Sequence, residues 1–321
     1  MPLQSRKSMG QAALVLTITT LITALPVCSA FAQAPSKIRI NKLPIAAYVP
    51  AEYALSRGWF KEAGLDVSMD TVAAAAIAIQ ALIGGKLDII YGALDVGLRA
   101  HAQGIDINVL ADNNNAQTKP PDAAAILVRA DAGIRSLKDL EGKRFLVNNL
   151  QNVNWAYSRE AISKAGGDPS RIQFLELEFP LMVDALLGGQ ADAASTTEPF
   201  TTIGLGTGKL IAASYMFVDT QPGLNIAGWM TRGDWVKQHM TEARTFRRVV
   251  QRAMDVLNQS PDEKTKAILQ FTPLKPELLP KITLDNWSTE LNPDDLQKQL
   301  AVYKKQGAID QTYDVKTIIV P

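Results

Sequence analysis

Cysteine is almost missing from this 321-residue chain, with Cys28 the only one, so no intramolecular disulfide can staple the fold and no thiolate cluster can hold a metal. Histidine is scarce too. His101 and His239 both stand within helical patterns, without HExxH or any other metal-ligand spacing, and no metal is expected. A dominant charge is also absent: 33 basic residues face 32 acidic ones, and nothing points to nucleic acid. After residue 25 no apolar run approaches the roughly 20 residues that a spanning helix needs. No GxSxG nucleophile elbow occurs. Gly204-Leu205-Gly206-Thr207-Gly208-Lys209 lacks the phosphate-loop spacing and precedes a strand instead of following one, so it reads as a helix end and a turn. No catalytic residue and no cofactor are expected.

What is present begins with a leader. Arg6 and Lys7 precede an apolar run from Ala12 to Leu25, broken by Pro26, and a small-x-small site follows at Ala30-Phe31-Ala32. The pattern predicts a secretory signal peptide over residues 1–32, cleaved before Gln33, and a periplasmic product. Cys28 follows Leu25-Pro26-Val27, which lacks the small residues of a lipoprotein signal, so no lipid anchor is expected. Removing the leader removes the cysteine and two basic residues, and the net charge moves from +1 to −1. The remaining length suits two domains.

Two stretches of the chain nearly repeat each other. Ala81-Leu82-Ile83-Gly84-Gly85-Lys86-Leu87-Asp88 is followed at an offset of 104 by Ala185-Leu186-Leu187-Gly188-Gly189-Gln190-Ala191-Asp192, and Arg57–Gly64 matches Arg159–Gly166 at an offset of 102. Each lies in a β-α-β-α-β pattern. The first has strands at 37–41, 65–69 and 87–91, with helices over 50–63 and 73–83. The second has strands at 143–147, 172–177 and 191–195, with helices over 152–165 and 181–187. Matched junctions at a near-constant offset favour two copies of one supersecondary unit. Crossover helices make the three strands of each unit parallel, and Leu87–Tyr91, with little polar alternation, suits a sheet covered on both faces. The polar run Asn113–Pro121 and the extended segment Leu224–Met230 are candidate connections between lobes, and only helices are expected after the second, including an amphipathic one over 241–258.

In parallel α/β sheets ligands collect where strands end and helices begin. That rule selects four loops. The first carries Asn41, Pro44, Ile45, Ala46 and Tyr48, with Lys42 beside them; the second Ala93, Leu94 and Asp95; the third Asn148, Gln151, Asn152, Asn154 and Trp155; the fourth Glu198 and Phe200. Asparagine carboxamides both donate and accept, and Trp155 offers a flat apolar wall, a combination suited to a small polar ligand. Asn152, Asp95 and Glu198 could equally serve as helix caps.

The block PAEYALSRGWFKEAGLDV (Pro50–Val67), ALIGGKLDI, Ile134–Lys143 and ALLGGQADAASTTEP with its Glu198-Pro199 together resemble the nitrate, sulfonate and taurine type of substrate-binding protein from ABC importers, over nearly all of the chain after the leader. The resemblance implies the type II periplasmic binding fold: two α/β lobes (33–125 with 226–321, and 126–225) with two mixed, mostly parallel sheets, two crossovers and a ligand cleft between. It further implies a monomer that closes over a small organic solute such as a sulfonate, amino-sulfonate or carboxylate, and delivers it to an ABC permease and its ATPase, without chemistry. The family's ligand loops fall on the same four segments. An exported hydrolase and a ligand-sensing protein on the same fold are the alternatives. A thiamine pyrimidine precursor synthase of the superfamily needs a cysteine-rich motif that this chain lacks.

Overall fold

The first unit forms because its strands bury apolar residues and its helices stop at glycine. β1 (Ser36–Lys42), β2 (Leu65–Thr71) and β3 (Ile89–Ala93) pair in parallel with β1 in the middle. β3 is buried on both faces through Ile89, Ile90 and Tyr91, whereas β1 alternates, with Ile38 and Ile40 buried and Lys37 and Arg39 exposed. The computed structural model describes residues 34–43, 45–72, 75–284 and 286–321; the leader expected over 1–32, and Pro44, lie outside them. α1 (Val49–Ser56) and α2 (Trp59–Glu62) join β1 to β2, and α3 (Ala75–Ile83) joins β2 to β3. The helix expected over 50–63 is therefore two helices, divided where Gly58 takes a left-handed φ of 73° that other residues rarely adopt.

α4 (Leu94–Ala102) follows β3 directly, so the loop expected at Gly92–Asp95 is a strand end and the first turn of a helix. β4 (Ile107–Asn115) contains the start of the polar run that reads as a connection. Asn113 and Asn114 are buried in it: Asn113 Nδ2 donates to the Ala47 carbonyl at 2.8 Å, and its Oδ1 accepts from Trp229 Nε1 at 3.0 Å. A carboxamide that finds both partners inside does not mark a surface. β5 (Ala125–Arg129) follows the crossing.

The second unit repeats the first as β6 (Arg144–Val147), α5 (Val153–Lys164), β7 (Gln173–Glu176), α6 (Phe179–Leu187) and β8 (Ala193–Thr196), again parallel with the first strand central. After it come α7 (Phe200–Gly206), β9 (Leu210–Ser214), α8 (Met216–Thr220) and the returning β10 (Asn225–Arg232). Gly204–Lys209 is the end of α7 and a turn into β9, as expected. The remainder is α9 (Gly233–Gln238), α10 (Met240–Gln259), α11 (Pro261–Phe271), a two-residue strand β11 (Asn286–Trp287) that the expectation of helices alone omitted, and α12 (Pro293–Lys305). α10 buries Phe246, Val249, Val250, Ala253, Met254 and Leu257, the face its periodicity predicts.

The strands make two mixed sheets, in the orders β11-β4-β10-β3-β1-β2 and β7-β6-β8-β5-β9. In each sheet most strands run one way; β10 and β11 oppose the rest of the larger sheet, and β5 opposes the rest of the smaller. One apolar core lies around the larger sheet and extends to Phe145 and Tyr157, while a second, built on Leu127, Leu146, Met182, Leu186 and Phe200, lies against the smaller. Among the described residues no helix is long and apolar enough to cross a membrane.

Candidate functional site

The C-terminal ends of the parallel strands of both sheets surround one cavity of about 370 Å³, large enough for a small organic molecule. From the larger sheet come Leu43 and Ile45 after β1, Thr71 and Val72 at the end of β2, Ala93 at the end of β3, and Val96 and Arg99 on α4. Tyr91, Asn114, Ile226 and Ala227 complete that wall. The facing wall consists of Asn148, Asn149 and Leu150 after β6, Asn152, Val153 and Asn154 at the start of α5, Glu176 to Pro180 around the end of β7, Thr197 after β8, and Phe217.

Of the residues singled out in the sequence, Ile45, Ala93, Asn148, Asn152 and Asn154 line this cavity. Asn148 Oδ1 accepts from Asn152 Nδ2 at 2.8 Å and from Asn154 Nδ2 at 3.1 Å, and Asn152 Oδ1 caps α5 by accepting from the Trp155 N–H at 3.0 Å. Trp155 itself is half-buried, with the Arg159 guanidinium over its ring and Phe174 edge-on to it. Gln151 is exposed, with a left-handed φ of 62°, and its Oε1 accepts from Arg99 Nη1 at 3.4 Å. Pro44 lies outside the described residues.

The other named residues stand behind the lining. Asn41 is buried and ties β1 to β3, donating to the Tyr91 carbonyl at 2.9 Å and accepting from the Tyr91 N–H at 2.7 Å. Ala46 donates its N–H to the Glu198 carbonyl at 3.0 Å, a bond between the two walls. Tyr48 is buried against Tyr91 and Trp229, and Leu94 is wholly buried. Phe200 belongs to the smaller core. Lys42 pairs with Glu52.

Two buried acids sit in corresponding places, each at the start of the helix after a third strand. Burial pushes the Asp95 carboxyl up to about 6, against the pull of Arg99 and of the Val153 N–H. Burial pushes Glu198 up to about 7, although Thr202 donates from both its hydroxyl and its N–H and Thr283 donates its N–H. Asp95 joins the two walls behind the lining: its Oδ1 accepts from the Val153 N–H at 3.3 Å, and its Oδ2 lies 3.3 Å from Arg99 Nε.

The four loops chosen from the sequence omit two strand ends, at Thr71-Val72 and at Glu176–Pro180. Both are C-terminal ends of parallel strands, so the same rule extended to every strand selects them. Arg99 was also missed. The signal was its spacing: four residues after Asp95 on one helix puts both on one face. Among the described residues no group of three His, Cys, Asp or Glu is placed to hold a metal.

A family model described as NMT1/THI5 like matches residues 47–264. YtlA of Bacillus subtilis, whose name assigns it to binding proteins, is 24% identical over 264 residues, covering 81% of this chain and 72% of its own. The periplasmic aliphatic sulphonate binding protein SsuA from Escherichia coli superimposes with a TM-score of 0.73 at 15% identity, covering 89% of this chain and 97% of its own. The periplasmic nitrate-binding protein NrtA from Synechocystis PCC 6803 does so with a TM-score of 0.72 at 14% identity, covering 88% and 84%. At such identities the superpositions speak for the fold, the two-lobe periplasmic binding fold expected from the sequence.

Proposed function

We propose, from the premise that the chain belongs to the NMT1/THI5-like family, that it is the solute-binding component of an ABC importer. It takes up a small organic solute, such as a sulfonate, amino-sulfonate, carboxylate or similar polar molecule, in the cavity between its sheets and hands it to a permease driven by an ATPase. The observation that carries this reading is the cavity itself, walled by strand ends of both sheets, whose two walls are tied behind the lining by the Asp95–Val153 and Ala46–Glu198 hydrogen bonds. A site shared between two halves gains affinity by closing them over the solute.

On this reading lobe 1 comprises 33–125 and 226–321 and lobe 2 comprises 126–225, the protein acts as a periplasmic monomer, and residues 1–32 are its export signal. Ligand contact falls to the lining asparagines, Ile45 and Ala93, with Asn41, Tyr48, Asp95, Trp155 and Glu198 holding them in place. No chemistry is performed. The relatives named above are binding proteins, which favours neither the hydrolase nor the sensor.

A thermal-shift screen of sulfonates, amino-sulfonates, aromatic carboxylates, nitrate, amides and pyrimidines tests this, since a ligand that binds only the folded state raises the melting temperature. At least one class should raise it in a concentration-dependent way. Hydrolysis of ester or peptide substrates at enzymatic rates would instead revive the exported hydrolase.

A further inference from the structure

Arg99 is the one cation among the described residues that line the cavity, and its surroundings bear on the charge that the solute can carry. Asp95, one helical turn earlier on α4, holds its Oδ2 3.3 Å from Arg99 Nε. The same carboxylate accepts from the N–H of Val153, the first residue of α5. A helix start with unpaired N–H groups, next to a guanidinium, is the place an anionic group of a solute would seek. Here that place is filled by the protein's own carboxylate, which is fully buried and comes from the opposite wall. At the rim Glu176 and Glu178 add further negative charge. The other polar groups facing inward are mainly carboxamides, which are neutral and serve as donors and acceptors alike.

From this arrangement we infer that Asp95 is a built-in counter-anion, which makes the cavity select an uncharged, amide-like solute and turn away sulfonates and carboxylates at neutral pH. The inference rests on the solute-binding reading and narrows it. An anion brought to Arg99 would lie beside a buried like charge, whereas an amide can donate and accept among the asparagines without meeting one. The groups that face Asp95 are Arg99 from its own helix, the Val153 N–H of α5 and the Tyr303 hydroxyl of α12. Burial holds the Tyr303 hydroxyl well above its usual range, so it stays neutral. With the Asp95 carboxyl at about 6, acid conditions protonate it and leave Arg99 to the solute. Anion binding should therefore strengthen as the pH falls, and amide binding should not change.

Benzenesulfonamide, benzenesulfonate and benzylammonium are nearly equal in size and differ in charge, and none of them changes its own protonation appreciably between pH 5 and pH 8. Calorimetric titration at both pH values should show benzenesulfonamide binding at least tenfold more tightly than either ion at pH 8 and equally well at pH 5. Benzenesulfonate should gain at least tenfold on going to pH 5. Asp95→Asn should give benzenesulfonate that stronger affinity already at pH 8, and Arg99→Gln should abolish the gain; if neither variant folds, the pH series of Glu198→Gln, which lacks the carboxyl raised to about 7, decides in their place. Benzenesulfonate binding as tightly as the sulfonamide at pH 8, benzylammonium binding best, or a strongest screen hit at pH 8 that is an ion would overturn the charge assignment and leave the solute-binding reading standing. If no probe and no member of the screen is bound at either pH, the solute-binding reading fails and the inference falls with it.

Discussion

The two copies of the ALxGGxxD stretch differ in sequence at three of eight positions and in structure hardly at all. Gly85 and Gly189 each take a φ of 69° at the end of their helices. The next N–H, of Lys86 or Gln190, donates back to Ala81 or Ala185 at 2.8 and 2.9 Å. Asp88 then accepts from the Arg39 N–H at 2.8 Å, and Asp192 from the Arg144 N–H at 2.9 Å, in each case fastening the start of the third strand to the first. Even the strand that comes from the far side of the crossing behaves alike: Arg232 of β10 donates to the Leu82 carbonyl, and Arg129 of β5 to that of Leu186. The sheets match as β2-β1-β3-β10-β4 and β7-β6-β8-β5-β9.

At the opposite ends of the same strands the likeness stops. Asn41 spends its carboxamide on the backbone of β3, whereas Asn148 turns its carbonyl to Asn152 and Asn154 at the cavity. Asp95 faces a guanidinium and the other wall, whereas Glu198 has only neutral donors. The repeat thus preserves the strand starts that hold each sheet together, and the two copies part at the ends that face the cavity.

The comparison can be broken at the point where the matched strands differ most. Gly228 of β10 corresponds to Ala125 of β5, yet a Cβ on Gly228 would stand 2.3 Å from the Ala111 carbonyl oxygen. Gly228→Ala should cost about 3 kcal/mol or more in chemical denaturation, while Ala125→Gly should cost about 1 kcal/mol. Equal costs would mean that the two strands are packed alike after all.

The next effect concerns the unpaired acid. A carboxyl raised from 4.5 to about 7 on folding contributes stability that is complete below pH 4.5 and is lost as the pH climbs to 7. That loss amounts to about 3 kcal/mol at most. Glu198→Gln should remove it, so that the variant gains on the wild type between pH 5 and pH 8 in denaturant titrations. A constant difference between the two proteins would show that burial does not govern this carboxyl.

Smaller again is the asymmetry of the two aspartates. Asp88 is buried and Asp192 is partly exposed. Removing the buried acceptor leaves the Arg39 N–H unsatisfied, so Asp88→Ala should cost about 2 kcal/mol and Asp192→Ala about 1 kcal/mol. A larger cost at Asp192 would reverse the ranking by burial.

The frame was legible in the sequence because glycine at a helix end, small apolar residues in a buried strand and a 3.6-residue stripe on α10 are local demands with local signatures. The cavity's general position was legible too, since strand ends fix it. Its lining was less so. Asn113 and Asn114 look like surface and are interior, because their partners, Ala47 and Trp229 in the case of Asn113, are brought to them only by folding. Tyr48 and Leu94 sit in the chosen loops yet point into the core, for each stands in a helical turn packed against the sheet rather than in a loop. Arg99 was hidden because it stands inside a helix whose first turn passes for a loop.

The claim that the divergent strand ends form a solute site shared by both halves is tested most directly by affinity. For the best solute of the screen, calorimetry on Ile45→Ala and Asn154→Ala, one from each wall, should show losses of at least tenfold, or about 1.4 kcal/mol, in each, while Asp192→Ala in the frame binds as the wild type does. Unchanged affinity in both lining variants would contradict the account.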